Sequence, residues 1–143
     1  MEVQATLIDF QRVYKAVEAL TDIDKDKVIK EGLRAATSLF IRAGKQRLQA
    51  RLKGTGKGKL MKAFVNKLKR QKLGALAGFN TTGMHSHLVD RGTKQRATRK
   101  GKNTGKMPAN NFWMDAIEAN KGQALEEVYK GIQRGINRIL DRN

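Results

Sequence analysis

The sequence has no cysteine and only one proline among its 143 residues, which narrows the possible architectures. Without cysteine the chain can form neither disulfide bonds nor thiolate metal sites, which suits a protein made in a reducing cytoplasm. It also has no run of about 18 uncharged apolar residues, so the sequence predicts no transmembrane helix. Residues 1–4 lack the basic start of a secretory signal. We therefore expect a single domain over residues 1–143 that has no contact with a membrane.

Groups capable of catalysis are scarce as well. His85 and His87 are spaced to share one face of a strand, but only Asp90 lies near enough in sequence to add a third metal ligand. The glycine–lysine stretches at residues 54–60 and 101–107 lack the spacing of a phosphate-binding loop, and neither has Ser or Thr after its lysine. No nucleophile elbow is present. The sequence therefore predicts no enzymatic activity, no cofactor and no bound metal.

Acidic residues are nearly absent from the middle of the chain. Between residues 32 and 106, twenty basic residues stand against one acid, Asp90. Residues 1–31 carry a net charge of −2 and residues 107–143 are neutral, so the middle segment accounts for the whole excess of the net charge of +17. A field of this sign attracts polyanions or an acidic protein surface. The charge alone does not decide between them.

Apolar residues at helical spacing predict three helices. The first covers residues 7–20, and the second covers about residues 24–52, where Thr21 or Asp22 can cap the start. The third follows Pro108, a residue suited to the first turn of a helix, and continues for about thirty residues. At about 1.5 Å per residue this last helix would be about 45 Å long.

Shorter elements are predicted between the second and third helices. Residues 60–68 fit a helix or a strand equally well, and residues 73–80 read as a strand whose small residues allow another backbone to approach. Residues 85–89 indicate a second short element. Residues 92–106 have almost no apolar side chain and predict an exposed loop or hairpin. The predicted class is α+β, with a small antiparallel sheet packed against a long internal helix and a long C-terminal helix.

Three short segments occur in a fixed order along the chain. Thr55-Gly56 followed by Leu60, after a long amphipathic helix, forms a "TG-x-L" pattern. Residues 87–93 contain an "acidic–x–Gly–Thr" segment with Asp90 in the acidic place, and residues 107–116 form a "Pro-Ala-x-x-Phe…Ala" approach to the C-terminal helix. In this order the three segments resemble the tail-completion proteins (neck, head–tail joining or tail-terminator type) of long-tailed bacteriophages and prophages, and the resemblance covers about residues 7–140.

The resemblance implies a structural virion protein, assembled in the cytoplasm of a bacterial host. It implies a homo-oligomeric ring, commonly six-fold, that joins or terminates the tail beside adjacent neck or tail proteins and surrounds the DNA path. The matching residues have structural roles in that family, and Phe112 with Trp113 would anchor the last helix on the sheet. In this sequence the matching residues are Thr55, Gly56, Leu60, Asp90, Gly92, Thr93, Pro108, Phe112 and Ala116.

Two sets of basic residues are candidate contacts in such a ring. The first set would face the DNA channel or an acidic partner ring, and comprises Arg42, Lys45, Arg51, Lys57, Lys59, Lys62, Lys69 and Arg70. The second set would contact a neighbouring subunit from the basic loop at 92–106 and the residue before it, and comprises Arg91, Lys94, Arg96, Arg99 and Lys100. We expect this loop to become ordered when it meets its neighbour.

An alternative from another class is a protein that binds nucleic acid without sequence preference through the basic segment 42–72. The sequence has no helix-turn-helix pattern, zinc ligands or pair of stacking aromatic residues that would indicate specific recognition. From the sequence alone, contacts with phosphates and contacts with an acidic ring explain the positive charge equally well.

Overall fold

The computed structural model describes residues 11–51, 58–70 and 74–142. Within those ranges no helix combines the length and the apolar character needed to cross a membrane. The helices are α1 (residues 11–18), α2 (Asp22–Arg51), α3 (Lys59–Lys62), α4 (Ser86–Arg91) and α5 (Phe112–Leu140), with a 3-10 turn at Thr81–Gly83. The strands are β1 (Phe64–Leu68), β2 (Ala75–Phe79), β3 (Arg96–Ala97) and β4 (Asn103–Gly105).

The predicted α+β class is confirmed. Strands β1 and β2 form one two-stranded sheet, and β3 and β4 form another. The chain between β1 and β2 is too short for a parallel crossover, and the N–H of Lys69 donates to the carbonyl of Gly74 at 2.9 Å where the hairpin closes. The long helices α2 and α5 provide the surfaces against which this small sheet packs.

The start of α2 confirms the predicted cap. Thr21 Oγ1 accepts a hydrogen bond from the N–H of Asp24 at 3.3 Å, and its hydroxyl donates to the Asp24 carboxylate at 3.0 Å. This reciprocal arrangement satisfies an N–H group that the first helical turn would otherwise leave without a partner. Asp22 and Asp24 also place negative charge at the positive end of the helix dipole.

Residues 60–68, whose pattern fits a helix or a strand, belong to two elements. The short helix α3 ends at Lys62 and strand β1 begins at Phe64. The element predicted at 85–89 is the helix α4, and the stretch at 92–106 is a hairpin formed by β3 and β4. Features predicted within residues 1–10, 52–57 and 71–73 lie outside the described residues.

The prediction that Pro108 starts the last helix is wrong. Helix α5 begins four residues later, at Phe112, after Asn111 adopts a left-handed conformation with φ of 56°. The physical reason is that the first turn of α5 takes its cap from a distant carboxylate, that of Asp90, so the position of the proline does not set the start.

Contacts divide the described residues into two compact units. Unit 1 comprises residues 11–39, 66–70, 74–76 and 121–142. Its core is formed by Val28 of α2 with Ile132 and Ile136 of α5, and Val13 and Val17 of α1 pack against them. These side chains recur at the helical spacing that the sequence predicts for all three helices.

Unit 2 comprises residues 40–51, 58–65 and 77–120. Its core joins Leu48 of α2 and Leu60 of α3 to Phe64 of β1 and Phe112 of α5. Trp113 lies with its ring centroid 5.9 Å from that of Phe64, in an edge-on arrangement that aromatic rings favour. The predicted anchoring of the last helix on the sheet is thus confirmed for unit 2.

Candidate functional site

The start of α5 is held by the acidic residue of the "acidic–x–Gly–Thr" segment. Asp90 is buried at the end of α4, and its Oδ1 accepts hydrogen bonds from the N–H groups of Trp113 at 2.9 Å and Met114 at 3.3 Å. The carbonyls of Val89 and Asp90 also accept from the N–H groups of Asn110 and Asn111. A carboxylate at a helix N-terminus stabilises the helix through these bonds and because its negative charge lies at the positive end of the helix dipole. Asp90 therefore has a structural role as the cap of α5.

The next two residues of the segment fix the base of the hairpin. Gly92 has φ of 76° and ψ of −178°, a conformation that only glycine adopts readily, and a Cβ there would lie 2.7 Å from the nitrogen of Ala109. The N–H of Thr93 donates to the carbonyl of Met107 at 2.9 Å, and Thr93 Oγ1 accepts from the N–H of Met107 at 3.0 Å. Gly92 and Thr93 thus lie directly against residues 107–109 at the base of the hairpin.

The apolar residues of the motifs belong to the core of unit 2. Phe112 and Ala116 are fully buried on α5, and Leu60 is buried on α3. Pro108 is exposed and lies in the stretch that packs beside Gly92, between Met107 and Ala109. Thr55 and Gly56 fall outside the described residues.

The described members of the first set of candidate basic contacts are exposed but divided between the units. Arg42, Lys45, Lys59 and Lys62 are exposed in unit 2, where the ammonium of Lys45 lies 5.8 Å above the ring of Phe64. A cation at this distance from a ring is held by the quadrupole of that ring.

The other members of the first set differ from these four. Arg51 already has protein partners, because its Nη1 lies 2.7 Å from the carboxylate of Asp115 and 2.8 Å from the carbonyl of Asn110. Lys69 and Arg70 are exposed in unit 1, directly after β1. Lys57 lies outside the described residues.

The second set lies on the hairpin except for Arg91, the last residue of α4, and the hairpin is held by hydrogen bonds of its own. The N–H of Thr98 donates to the carbonyl of Lys102 at 2.7 Å, and the N–H of Gly101 donates to the carbonyl of Thr98 at 2.8 Å. Strands β3 and β4 pair antiparallel, with Arg96 opposite Gly105. All five residues of the set are exposed: Arg91, Lys94, Arg96, Arg99 and Lys100.

A groove at the base of the hairpin adds a residue that the sequence analysis missed. Its volume is about 730 Å³, and its two sides are residues 91–95 and residues 106–109. Lys106 joins Arg91 and Lys94 in lining it. The predicted hairpin could have indicated this position of Lys106. Antiparallel pairing brings a residue near the end of a hairpin beside one near its start.

The charge of unit 2 is largely unbalanced. Its described residues include thirteen basic side chains and three acidic ones. Two of the three acids have partners within unit 2, because Asp90 caps α5 and Asp115 forms an ion pair with Arg51. The excess of basic side chains therefore gives unit 2 a positive field that attracts anions.

The histidines show no arrangement that would bind a metal. Nδ1 of His87 lies 2.9 Å from the carbonyl of Met84, and both His85 and His87 are exposed. In the part of the chain that the structure describes, no three residues among His, Cys, Asp and Glu are grouped so that they could hold a metal ion.

Comparison with known proteins gives no relative for this chain. No protein-family profile matches it, and no curated protein and no solved structure is significantly similar to it.

Proposed function

We propose that this protein is a structural subunit of a tailed-phage virion and not an enzyme. In this proposal copies of the chain form a ring, most simply of six subunits, at the neck or the tail end. The ring joins or terminates the tail beside adjacent neck or tail proteins and surrounds the path of the DNA. The subunits assemble in the cytoplasm of the bacterial host.

The observation that carries the proposal is the meeting of two motif segments at the start of α5. Asp90, Gly92 and Thr93 contact the backbone of residues 107–114 by a buried cap, a close packing and two hydrogen bonds. Their joint role in fixing the last helix supports the resemblance to tail-completion proteins.

The exposed charge of unit 2 suits the surroundings of such a ring. The hairpin carries basic side chains from Arg91 to Lys106 without one acid, and its turn is closed by internal hydrogen bonds. Such an arm can contact an acidic neighbouring subunit or the phosphates of DNA. In our proposal it makes the contact with the neighbouring subunit, whereas the exposed basic residues of α2 and α3 face the DNA or the next ring.

Oligomer mass is the direct test of the ring. The full chain is analysed by native mass spectrometry and by electron microscopy of negatively stained particles, alone and after addition of tail tubes from the parent phage. We expect closed rings whose mass is a multiple of the 16.0 kDa chain, and labelled protein at one end of the tubes. A chain that remains monomeric under both conditions and is absent from purified virions would refute the proposal.

Charge reversal on the hairpin tests its part in ring assembly. The variant Arg96→Glu/Arg99→Glu should abolish the rings if the hairpin contacts the next subunit. Lys130→Glu/Arg134→Glu, with the same change of charge at two exposed positions of α5 in unit 1, is the matched control and should leave the ring mass unchanged. Equal loss of rings in both variants would assign the effect to net charge and not to the hairpin.

A second candidate function is binding of nucleic acid without sequence preference by the basic segment 42–72. It is favoured by the exposed Arg42, Lys59 and Lys62 of unit 2, which have no carboxylate partner among the described residues. In that case a monomer binds duplex DNA, and the logarithm of its affinity falls by about 0.9 per phosphate contact for each tenfold increase in salt. Arg42→Glu/Lys59→Glu should then reduce the slope by about two contacts. Weak DNA binding by monomers with an unchanged slope would exclude this function.

A further inference from the structure

A pocket in unit 1 combines positive charge with apolar surface. It has a volume of about 590 Å³ and lies against α2, the end of β1 and the last turns of α5. Lys27, Lys30 and Arg34 recur at spacings of three and four residues along α2, which places them on one helical face. Arg142, just beyond the end of α5, lines the pocket as well.

These four cations have no acidic partner among the residues described. Glu31 is the one acid that lines the pocket, and both of its carboxylate oxygens are taken by Arg138, at 3.0 Å from Nη2 and 3.3 Å from Nη1. Such a two-point contact neutralises the charge of Glu31. The remaining positive charge of the pocket is therefore available to an anionic ligand.

The apolar part of the pocket consists of Leu68 and Ile139, both half-buried, and Val28, which is 1% exposed. Gly135 allows α5 to lie close to α2 here, since a Cβ at that position would be 2.9 Å from Cγ1 of Val28. A ligand with charge alone would leave Leu68 and Ile139 in contact with water. The best ligand therefore brings both an apolar group and several anions.

We infer that this pocket binds an acidic peptide segment in which carboxylates flank a large apolar side chain. The apolar side chain covers Leu68 and Ile139, while the carboxylates contact the four cations, the arginines by paired hydrogen bonds. A DNA backbone offers phosphates to the cations but nothing to the apolar surface, and a lipid bilayer is a flat surface that does not enter a pocket. The inference concerns unit 1 alone and holds whether or not the chain forms a ring.

The test uses the full-length protein and a fluorescently labelled peptide of sequence Glu-Asp-Leu-Phe-Asp-Glu, with binding followed by fluorescence anisotropy at physiological salt. One comparison peptide has Ser in place of Leu and Phe, and another has the amides Gln and Asn in place of the acids. We expect either change to weaken binding by about tenfold or more, because the pocket then loses either its apolar contact or its ion pairs.

Charge reversal in the protein gives the second arm of the experiment. Arg34→Glu and Arg142→Glu should each weaken binding of the acidic peptide by about tenfold or more. Lys130→Glu makes the same change at an exposed position of α5 outside the pocket, and should alter the affinity by less than about twofold. Far-ultraviolet circular dichroism and urea unfolding of each variant establish that the fold is kept.

Three outcomes would overturn the inference. In the first, all three reversals weaken binding equally, which shows a response to net charge alone. In the second, the serine peptide binds as tightly as the original. In the third, duplex DNA or vesicles containing phosphatidylserine displace the peptide, and Arg142→Glu abolishes their binding too; the pocket then serves a polyanion or a membrane and not an acidic peptide.

Discussion

Oδ1 of Asp90 lies 2.9 Å from the backbone nitrogen of Trp113, and the two residues are separated by 23 positions in sequence. The same oxygen accepts from the N–H of Met114 at 3.3 Å, so one buried carboxylate satisfies two N–H groups in the first turn of α5. Most helix caps come from the residue just before the helix. Here the cap comes from the preceding helix α4, which ties the position of α4 to the start of α5.

Removal of this cap should destabilise the protein. Asp90→Ala leaves two N–H groups without their acceptor in a buried place, and we expect a loss of about 1–3 kcal/mol in the free energy of unfolding. Asp90→Asn keeps an oxygen at the same position but removes the negative charge, so its loss should be smaller. Urea unfolding followed by circular dichroism measures both, and equal losses for the two variants would show that the hydrogen bonds contribute nothing.

Gly92 and Gly101 differ in the space that a Cβ atom would have. Both have positive φ, 76° and 81°, but a Cβ at Gly92 would lie 2.7 Å from the nitrogen of Ala109, whereas a Cβ at Gly101 would meet nothing within 4 Å. Gly101→Ala should cost about 1 kcal/mol for its left-handed backbone, and Gly92→Ala about 2 kcal/mol or more.

Thermal and urea unfolding of the two alanine variants check this order. A cost at Gly101 equal to that at Gly92 would mean that the stretch 107–109 moves aside, and that the close packing at the base of the hairpin is not a constraint on the fold. Since both variants leave every charge unchanged, oligomer mass can be measured on the same samples without an electrostatic difference.

The long helices could be predicted from sequence because their apolar residues recur at helical spacing over about eight turns. A pattern of that length does not fit the two-residue period of a strand. The predicted start of α2 differs from the observed one by two residues, and the described part of the helix extends to Arg51. The start of α5 could not be predicted, because its cap is the side chain of Asp90 and not a neighbour of Pro108. A contact across 23 residues leaves no local pattern in a single sequence.

The candidate site was predictable only in part. The exposure of the basic residues follows from their charge, as at Arg42 and Lys94. The ion pair of Arg51 with Asp115 depends on the proximity of α2 to the first turn of α5, and the presence of Lys94 and Lys106 on one groove depends on the hairpin. Tertiary neighbours of this kind decide which charges remain available, and composition cannot supply them.

Tyr14 on α1 should titrate at an unusually high pH. A hydrogen bond to the carboxylate of Glu18 and the negative charge of that carboxylate raise the pKa of Tyr14 above its ordinary value of 10.0. Because the folded state holds this proton more tightly than the unfolded state, the contribution to stability is complete below about pH 10 and is lost as the pH rises through the raised pKa.

Ultraviolet absorbance of the ionised phenol measures this shift. The background Tyr129→Phe leaves Tyr14 as the only tyrosine, and Glu18→Gln in that background should return its pKa towards 10.0. A matched variant, Glu126→Gln, removes one acid from an exposed position of α5 and should leave the titration unchanged. The attribution to Glu18 fails if both glutamine variants give the same curve.

Gly32 and Gly131 bring α2 and α5 into close backbone contact within unit 1. A Cβ at Gly131 would lie 2.6 Å from Cα of Gly32, and a Cβ at Gly32 would lie 2.5 Å from the carbonyl oxygen of Val128. Gly131→Ala therefore forces the helices apart, and we expect it to cost about 1–3 kcal/mol in the free energy of unfolding. The obstruction is backbone on both sides, so no side chain can turn away to relieve it.

Gly122 provides the control on the same helix. Nothing lies within 4 Å of a Cβ placed there, so Gly122→Ala adds only helix propensity and should stabilise the protein by up to about 1 kcal/mol. The two substitutions are chemically identical and both lie inside α5, so their opposite signs in urea unfolding would isolate the close crossing of the helices. If Gly131→Ala stabilised the protein as Gly122→Ala does, α2 and α5 could not lie as close as the structure places them.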